Sequence, residues 1–233
     1  MTLRKVLLVL LAIPLCIYIG WRVKYPAFDW QQTLTFYITT PDGPIVASNT
    51  GHARWREGPR IFVDAGSGSW SYDGEALVAD LGGGQYLFGL LGNNLSLGRL
   101  VGQHNGKFDR SINHNERSRL IARSRGEAWE VPFDLLPPLI TFDDVTDMET
   151  LSFVDPENIA NALGVGYSLD RVTFEITNTP TTIGQMDQRR LDWFVEPDRG
   201  YYDFPVDSEL GVIRINGSNF WRGDAALSFL ERQ

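Results

Sequence analysis

Three apolar rhythms succeed one another along the chain, and each predicts a different kind of element. Residues 6–21, VLLVLLAIPLCIYIGW, form an uncharged and almost wholly apolar run. From residue 33 the rhythm becomes strict alternation. In TLTFYITT, Leu34, Phe36 and Ile38 fall on one side and Thr33, Thr35, Tyr37 and Thr39 on the other, which is the period of a half-buried strand. The same period recurs over residues 75–81, and the aromatic, apolar residues of 85–91 also favour a strand. Alternation returns in RVTFEITNTP, where Val172, Phe174 and Ile176 alternate with Arg171, Thr173, Glu175 and Thr177 until Pro180 stops the run. Helical spacing appears in DPENIANALG: Asp155 can cap, Pro156 suits the first turn, Ile159 and Leu163 share a face, and Gly164 closes the end.

Turn residues say how these runs connect. PDGP (41–44) follows the first strand, and the run from Ile45 to Trp55 is expected to return antiparallel to it. The stretch EALVADLGGGQYLFGLLG sets three glycines between two apolar runs. A phosphate-cradling loop would feed a helix and carry Lys followed by Ser or Thr, whereas here Gln85, Tyr86, Leu87 and Phe88 follow. Gly82, Gly83 and Gly84 therefore predict a hairpin turn. Residues 92–125 are rich in Gly, Asn and Arg and read as irregular until NHNERSRLIARSRG, a helix capped by Asn113 or Asn115. After Pro137 and Pro138, LITFDD and LSFVD predict short strands.

The expected fold is α+β: a β-rich antiparallel sheet with few short helices, preceded by one N-terminal transmembrane helix. Residues 1–27 are the anchor and its flank, and 28–233 a β-rich soluble domain. PFDLLPP and the Arg-rich stretch before it leave open a subdivision near 126–138.

The anchor reading rests on flanks as well as on the apolar run. Arg4 and Lys5 precede it, Arg22 and Lys24 follow it, and at ~1.5 Å per residue it falls somewhat short of a ~30 Å hydrocarbon core. Tyr18, Trp21 and Tyr25 are placed to mark the far interface while Arg22 and Lys24 snorkel outward. A cleaved signal peptide needs small residues before the cut, and Tyr18 and Tyr25 stand three residues before the candidate cuts after Gly20 and Ala27. Leu15 and Pro14 likewise do not suit lipidation of Cys16. The expectation is a single-pass protein of the bacterial inner membrane with its C-terminal domain in the periplasm.

Charge narrows the partners. Four of the 21 basic residues flank the anchor, which leaves 17 against 29 acidic residues, a formal charge of −12 on the rest of the chain. That balance argues against nucleic-acid binding. The acidity is concentrated after residue 126, with twenty acidic and seven basic residues. Cys16 is the single cysteine, so the soluble part forms no internal disulfide.

Candidate chemistry is sparse. Arg117, Arg119, Arg123 and Arg125 gather within nine residues and could form an anion or partner patch, or a solvated helix face paired with the acidic half. Asp143, Asp144, Asp147 and Glu149 offer hard oxygen ligands for calcium, though without the calcium-loop glycine and distal glutamate. His52, His104 and His114 show no metal spacing, and Ser67 and Ser69 do not form a nucleophile elbow. No catalytic residue and no cofactor is assigned.

The anchor together with TPDGPIVASNT, ALVADLGGGQYLFGLL and ITFDDVTDMETLSFVDPENIANALGVGYSLDRVTFEITNTPTTIG resembles a family of uncharacterised, membrane-anchored proteobacterial proteins. The resemblance covers roughly residues 34–193 and implies no activity. Two functional classes remain: a membrane-tethered envelope protein that binds or assembles a partner, and an envelope hydrolase whose site forms only in the fold. The first accounts for the anchor, the charge asymmetry and the lack of a catalytic motif.

Overall fold

The computed structural model describes residues 3–59, 68–91, 94–109, 111–186, 202–205, 212–215 and 220–222. Helix α1 (Leu3–Lys24) carries Pro14 inside it and ends as Pro26 approaches, because the residue before a proline is pushed out of the helical region. Only two residues separate it from β1 (Ala27–Thr40), which pairs along its whole length with β2 (Gly43–Glu57), from Ala27↔Arg56 to Thr40↔Gly43. At ~3.4 Å per residue the ribbon extends about 45 Å from the end of α1. Its turn uses the predicted chemistry: Gly43 takes φ 123°, and Thr40 Oγ1 donates to Gly43 O at 2.7 Å.

The long ribbon is the centre of a six-stranded sheet. β3 (Gly68–Glu75) adds to β2, β9 (Ser168–Thr177) to the other side of β1, β6 (Ala128–Glu130) to β9, and β12 (Trp221–Arg222) to β3. Alternation decides which face is buried. Trp30, Leu34, Phe36 and Ile38 of β1 and Val172, Phe174 and Ile176 of β9 point into the core, while Thr33, Thr35 and Tyr37 lie on the other face. Because β9 lies between β1 and β6, hydrogen-bonded pairing crosses residues 126–138.

A second, four-stranded antiparallel sheet has the order β4 (Leu77–Gly82), β5 (Gln85–Gly89), β7 (Leu139–Phe142), β8 (Leu151–Val154). The three glycines form the β4–β5 hairpin, with φ of 88°, 63° and 86° at Gly82, Gly83 and Gly84, as positive-φ hairpin turns require. This sheet packs on the half of the long sheet away from α1: a Cβ on Gly89 would come within 2.9 Å of the Phe36 ring. The half nearer α1 is covered by α2 (Asn94–His104) and α3 (His114–Arg123). A further hairpin pairs β10 (Tyr202–Pro205) with β11 (Val212–Ile215).

Two expectations need correction. The segment read as irregular contains α2, and Gly98 and Gly102 within it are close-contact positions. A Cβ on Gly98 would meet Phe174 at 3.1 Å, and one on Gly102 would meet Phe108 at 2.8 Å and Trp129 at 3.2 Å. DPENIANALG yields a helix of only four residues, α4 (Ala160–Leu163), because Asp155 instead holds a turn by accepting the Glu157 N–H at 2.9 Å.

Candidate binding surfaces

The position of each surface follows from how β3 leaves the long sheet. Along β2, pairing with β3 runs from Glu57↔Gly68 to His52↔Asp73 and stops. Beyond Glu75 the same chain becomes β4 and joins the second sheet, so β2 and β4 diverge like the sides of a wedge. Asn49 Nδ2 donates to Ala76 O near the apex. There a small cavity of about 10 Å³ lies among Gln32, Asn49, Tyr72, Glu75, Leu77 and Phe174.

Residues after β9 plug the apex. Thr50 N–H donates to Thr182 Oγ1 at 3.0 Å and Thr182 N–H to Thr50 O at 2.8 Å. Glu75, only 1% exposed, accepts backbone N–H groups from Gly184 at 2.6 Å, Gln185 at 2.8 Å and Met186 at 3.4 Å. A buried carboxylate is tolerated where oriented donors replace its water. Gln185 Nε2 then reaches Ser48 O at 3.4 Å. Past that point the wedge is an open groove of about 530 Å³, lined by Ile45, Val46, Ala47, Val78, Asp80 and Gln185 among others.

A second concavity, of about 410 Å³, lies at the same end. It brings together three stretches singled out in the sequence: Asp42 of the PDGP turn, the three glycines, and Asp143, with Gln85, Phe142 and Tyr167 beside them. Nearby, Thr39 Oγ1 donates to Asp170 Oδ2 at 2.7 Å. This end of the domain, opposite α1, carries Asp42, Asp80, Asp143 and Asp170, with Arg171 4.2 Å over the Tyr37 ring.

The remaining acidic candidates are occupied with local turns. Asp144 Oδ1 accepts from Thr146 Oγ1 at 2.7 Å and from its N–H at 2.9 Å, and these bonds, the side-chain one first, hold its carboxyl below the usual range. Asp147 Oδ1 accepts the Glu149 N–H at 2.9 Å, and Glu149 itself is exposed. Among the described residues no group of three or more His, Cys, Asp or Glu side chains is arranged to hold a metal ion.

Of the four arginines, one turns inward. Arg117 is 8% exposed, donates from Nη2 to Ile112 O at 3.0 Å, and lies 6.0 Å over the Phe108 ring. Arg119 pairs with Glu116 on the helix surface, Arg123 is exposed in the last turn, and Arg125 bridges Ile176 of β9. Burial and the charges of Arg117 and Arg99 lower the pKa of His114. His114 stacks on Trp55, whose Nε1 donates to Asn115 Oδ1 at 2.8 Å, and Trp55 and Trp30 both pack against Trp70. This tryptophan cluster, at the α1 end of the sheet, is a structural centre that no sequence motif announced. Ser67 lies outside the described residues, and nothing brings His52 and His104 to a common site.

At the end of α1, the Tyr25 N–H donates to Trp21 O at 2.8 Å, the two rings stand 4.6 Å apart, and Lys24 Nζ lies 5.5 Å over Tyr25. Tyr18, Trp21, Arg22 and Lys24 are exposed. Side chains of α1 are described from Leu10 onward, four residues into the apolar run, and among the described residues no helix is long and apolar enough to cross a membrane. No protein-family model, curated protein or solved structure matches the chain.

Proposed function

We propose that this is a membrane-tethered binding or assembly protein of the bacterial envelope, held in the inner membrane by residues 6–21 and presenting its domain on the periplasmic side. The observation that carries the reading is the two-residue junction between α1 and β1. With so short a link, an anchored helix holds the near end of the sheet at the bilayer, and the 14-residue β1 carries the acidic concavities about 45 Å outward. Trp21, Tyr25 and Lys24 supply the aromatic and cationic groups that suit an interface at that junction. The tryptophan cluster stiffens the near end, and the far end offers grooves and charge to an envelope protein partner.

The test is a cross-linked pull-down of the full chain from native membranes beside a control lacking residues 1–24. A discrete partner that depends on the anchor is expected; none above the control overturns the reading. A hydrolase is favoured by one feature only, the Asp42–Asp143–Tyr167 concavity. Retention of turnover on envelope glycans after Asp143→Asn would remove that feature as its site.

A further inference from the structure

The open half of β2 has a defined hydrogen-bonding direction. Thr33 and Thr50 face each other with hydroxyl oxygens 2.7 Å apart, and the main-chain groups of Thr50 bond Thr182 on the side away from β1. In an antiparallel ladder this direction alternates, so the even-numbered residues of β2 aim their N–H and C=O away from β1. His52, Arg54 and Arg56 use them on β3, and Thr50 uses them on Thr182. Pro44, which has no N–H, fits the same parity. Ser48 and Val46 come next. Ser48 O is met by Gln185 Nε2, while Ser48 N–H and both main-chain groups of Val46 have no partner among the described residues. Val46 is 64% exposed. Gln185 Oε1 is buried and also lacks a partner among the described residues.

Unpaired strand edges recruit strands. Here the edge stands beside a groove whose floor is Ile45, Ala47 and Val78 and whose rim carries the exposed Asp80, at the acidic end of a chain with net charge −8. We infer that Val46 and Ser48 bind an extended peptide segment of the partner as an added strand, its apolar side chains on that floor and a basic side chain toward Asp80. Three residues of strand, at ~3.3 Å each, span the open edge. The inference rests on the binding-protein reading and names the chemistry of its partner.

The probe is a fluorescein-labelled hexapeptide of alternating lysine and valine, titrated by anisotropy against the full chain in detergent micelles. Saturable binding is expected. Val46→Pro removes one outward N–H without touching the β1 ladder and is expected to weaken binding at least tenfold. Asp80→Asn, which keeps the acceptor for the Gly82 N–H seen at 3.0 Å, is expected to weaken it about three- to fivefold. A peptide N-methylated at alternate residues, with its charge intact, should not bind. Equal binding of the methylated peptide overturns the inference, since only charge would then be read. So does a peptide-independent dimer abolished by Val46→Pro, which would make a second copy the occupant. Absence of saturable binding, or binding indifferent to Val46→Pro, also overturns it. If an anchor-dependent partner is captured while the peptide fails, this inference falls and the binding-protein reading stands.

Discussion

Replacing Glu75 with glutamine tests how the wedge is held. The substitution keeps the shape of a side chain that is 1% exposed and accepts three backbone N–H groups, one on Oε1 and two on Oε2. Glutamine has one acceptor oxygen, so its amide NH₂ must face at least one donor. A hydrogen bond to a charged group contributes about 1.5–3 kcal/mol, and a buried donor left without an acceptor costs about 1–3 kcal/mol. These terms overlap, and the expected destabilisation is roughly 2–4 kcal/mol. Urea unfolding of the full chain in detergent measures it, and limited proteolysis at residues 182–186 reports whether the plug itself is released. Faster cleavage there, with the loss of stability, is expected. A loss below about 0.5 kcal/mol, the range of an ordinary surface change, refutes the claim that this carboxylate fastens the plug.

Two further predictions concern the part of the domain nearer α1. Gly102→Ala places a Cβ 2.8 Å from two Phe108 ring atoms, an overpacking of about 1–3 kcal/mol against a helix-propensity gain of at most ~1 kcal/mol. Net destabilisation is expected in urea unfolding, and a gain in stability would refute the close packing of the Phe108 ring on α2. His114 has its pKa lowered, first by burial and then by Arg117 and Arg99. Its contribution is complete above the ordinary histidine value and is lost as pH falls through the lowered one. His114→Gln is therefore expected to flatten the decline in unfolding midpoint between pH 7 and pH 5, and an unchanged slope would refute it.

What could be read from sequence divides along physical lines. Strands with one wet face declare themselves, because burial on a single side forces a period of two; 33–40 and 171–177 are of this kind. Turns that need positive φ declare themselves through glycine, as at Gly43 and Gly82–Gly84. The same rule misleads in α2, where Gly98 and Gly102 stand four apart because Phe174, Phe108 and Trp129 press on the helix. Glycine as a packing notch looks like glycine as a breaker until its neighbours are known.

The wedge was hidden for a different reason. One continuous stretch, 68–82, supplies strands to both sheets, and nothing in its composition marks Glu75 as the changeover. Its three backbone donors lie 109 to 111 residues away, and such long-range pairing leaves no local pattern. Pro44 was the nearest signal: a proline early in an alternating strand marks an edge, and PIVAS is the stretch of β2 that pairs with no strand but β1 among the described residues. In the arginine cluster, proximity along a helix is not the same as a shared face. Arg117 turns inward with Ser118 and Ile121, away from the exposed Arg123.

The orientation of the domain across the membrane is the claim on which the functional account turns. Val165, 96% exposed in the loop between α4 and β9, lies beside the acidic end, where a Cβ on Gly166 would touch Pro41 at 3.1 Å. With Cys16→Ser removing the native thiol, Val165→Cys gives one reporter for a membrane-impermeant maleimide applied to cells with a permeabilised outer membrane and an intact inner one. Labelling of a chain that stays with the membrane after carbonate extraction is the predicted result. Labelling only after the inner membrane is broken, or recovery of the chain in the soluble fraction, would contradict the account.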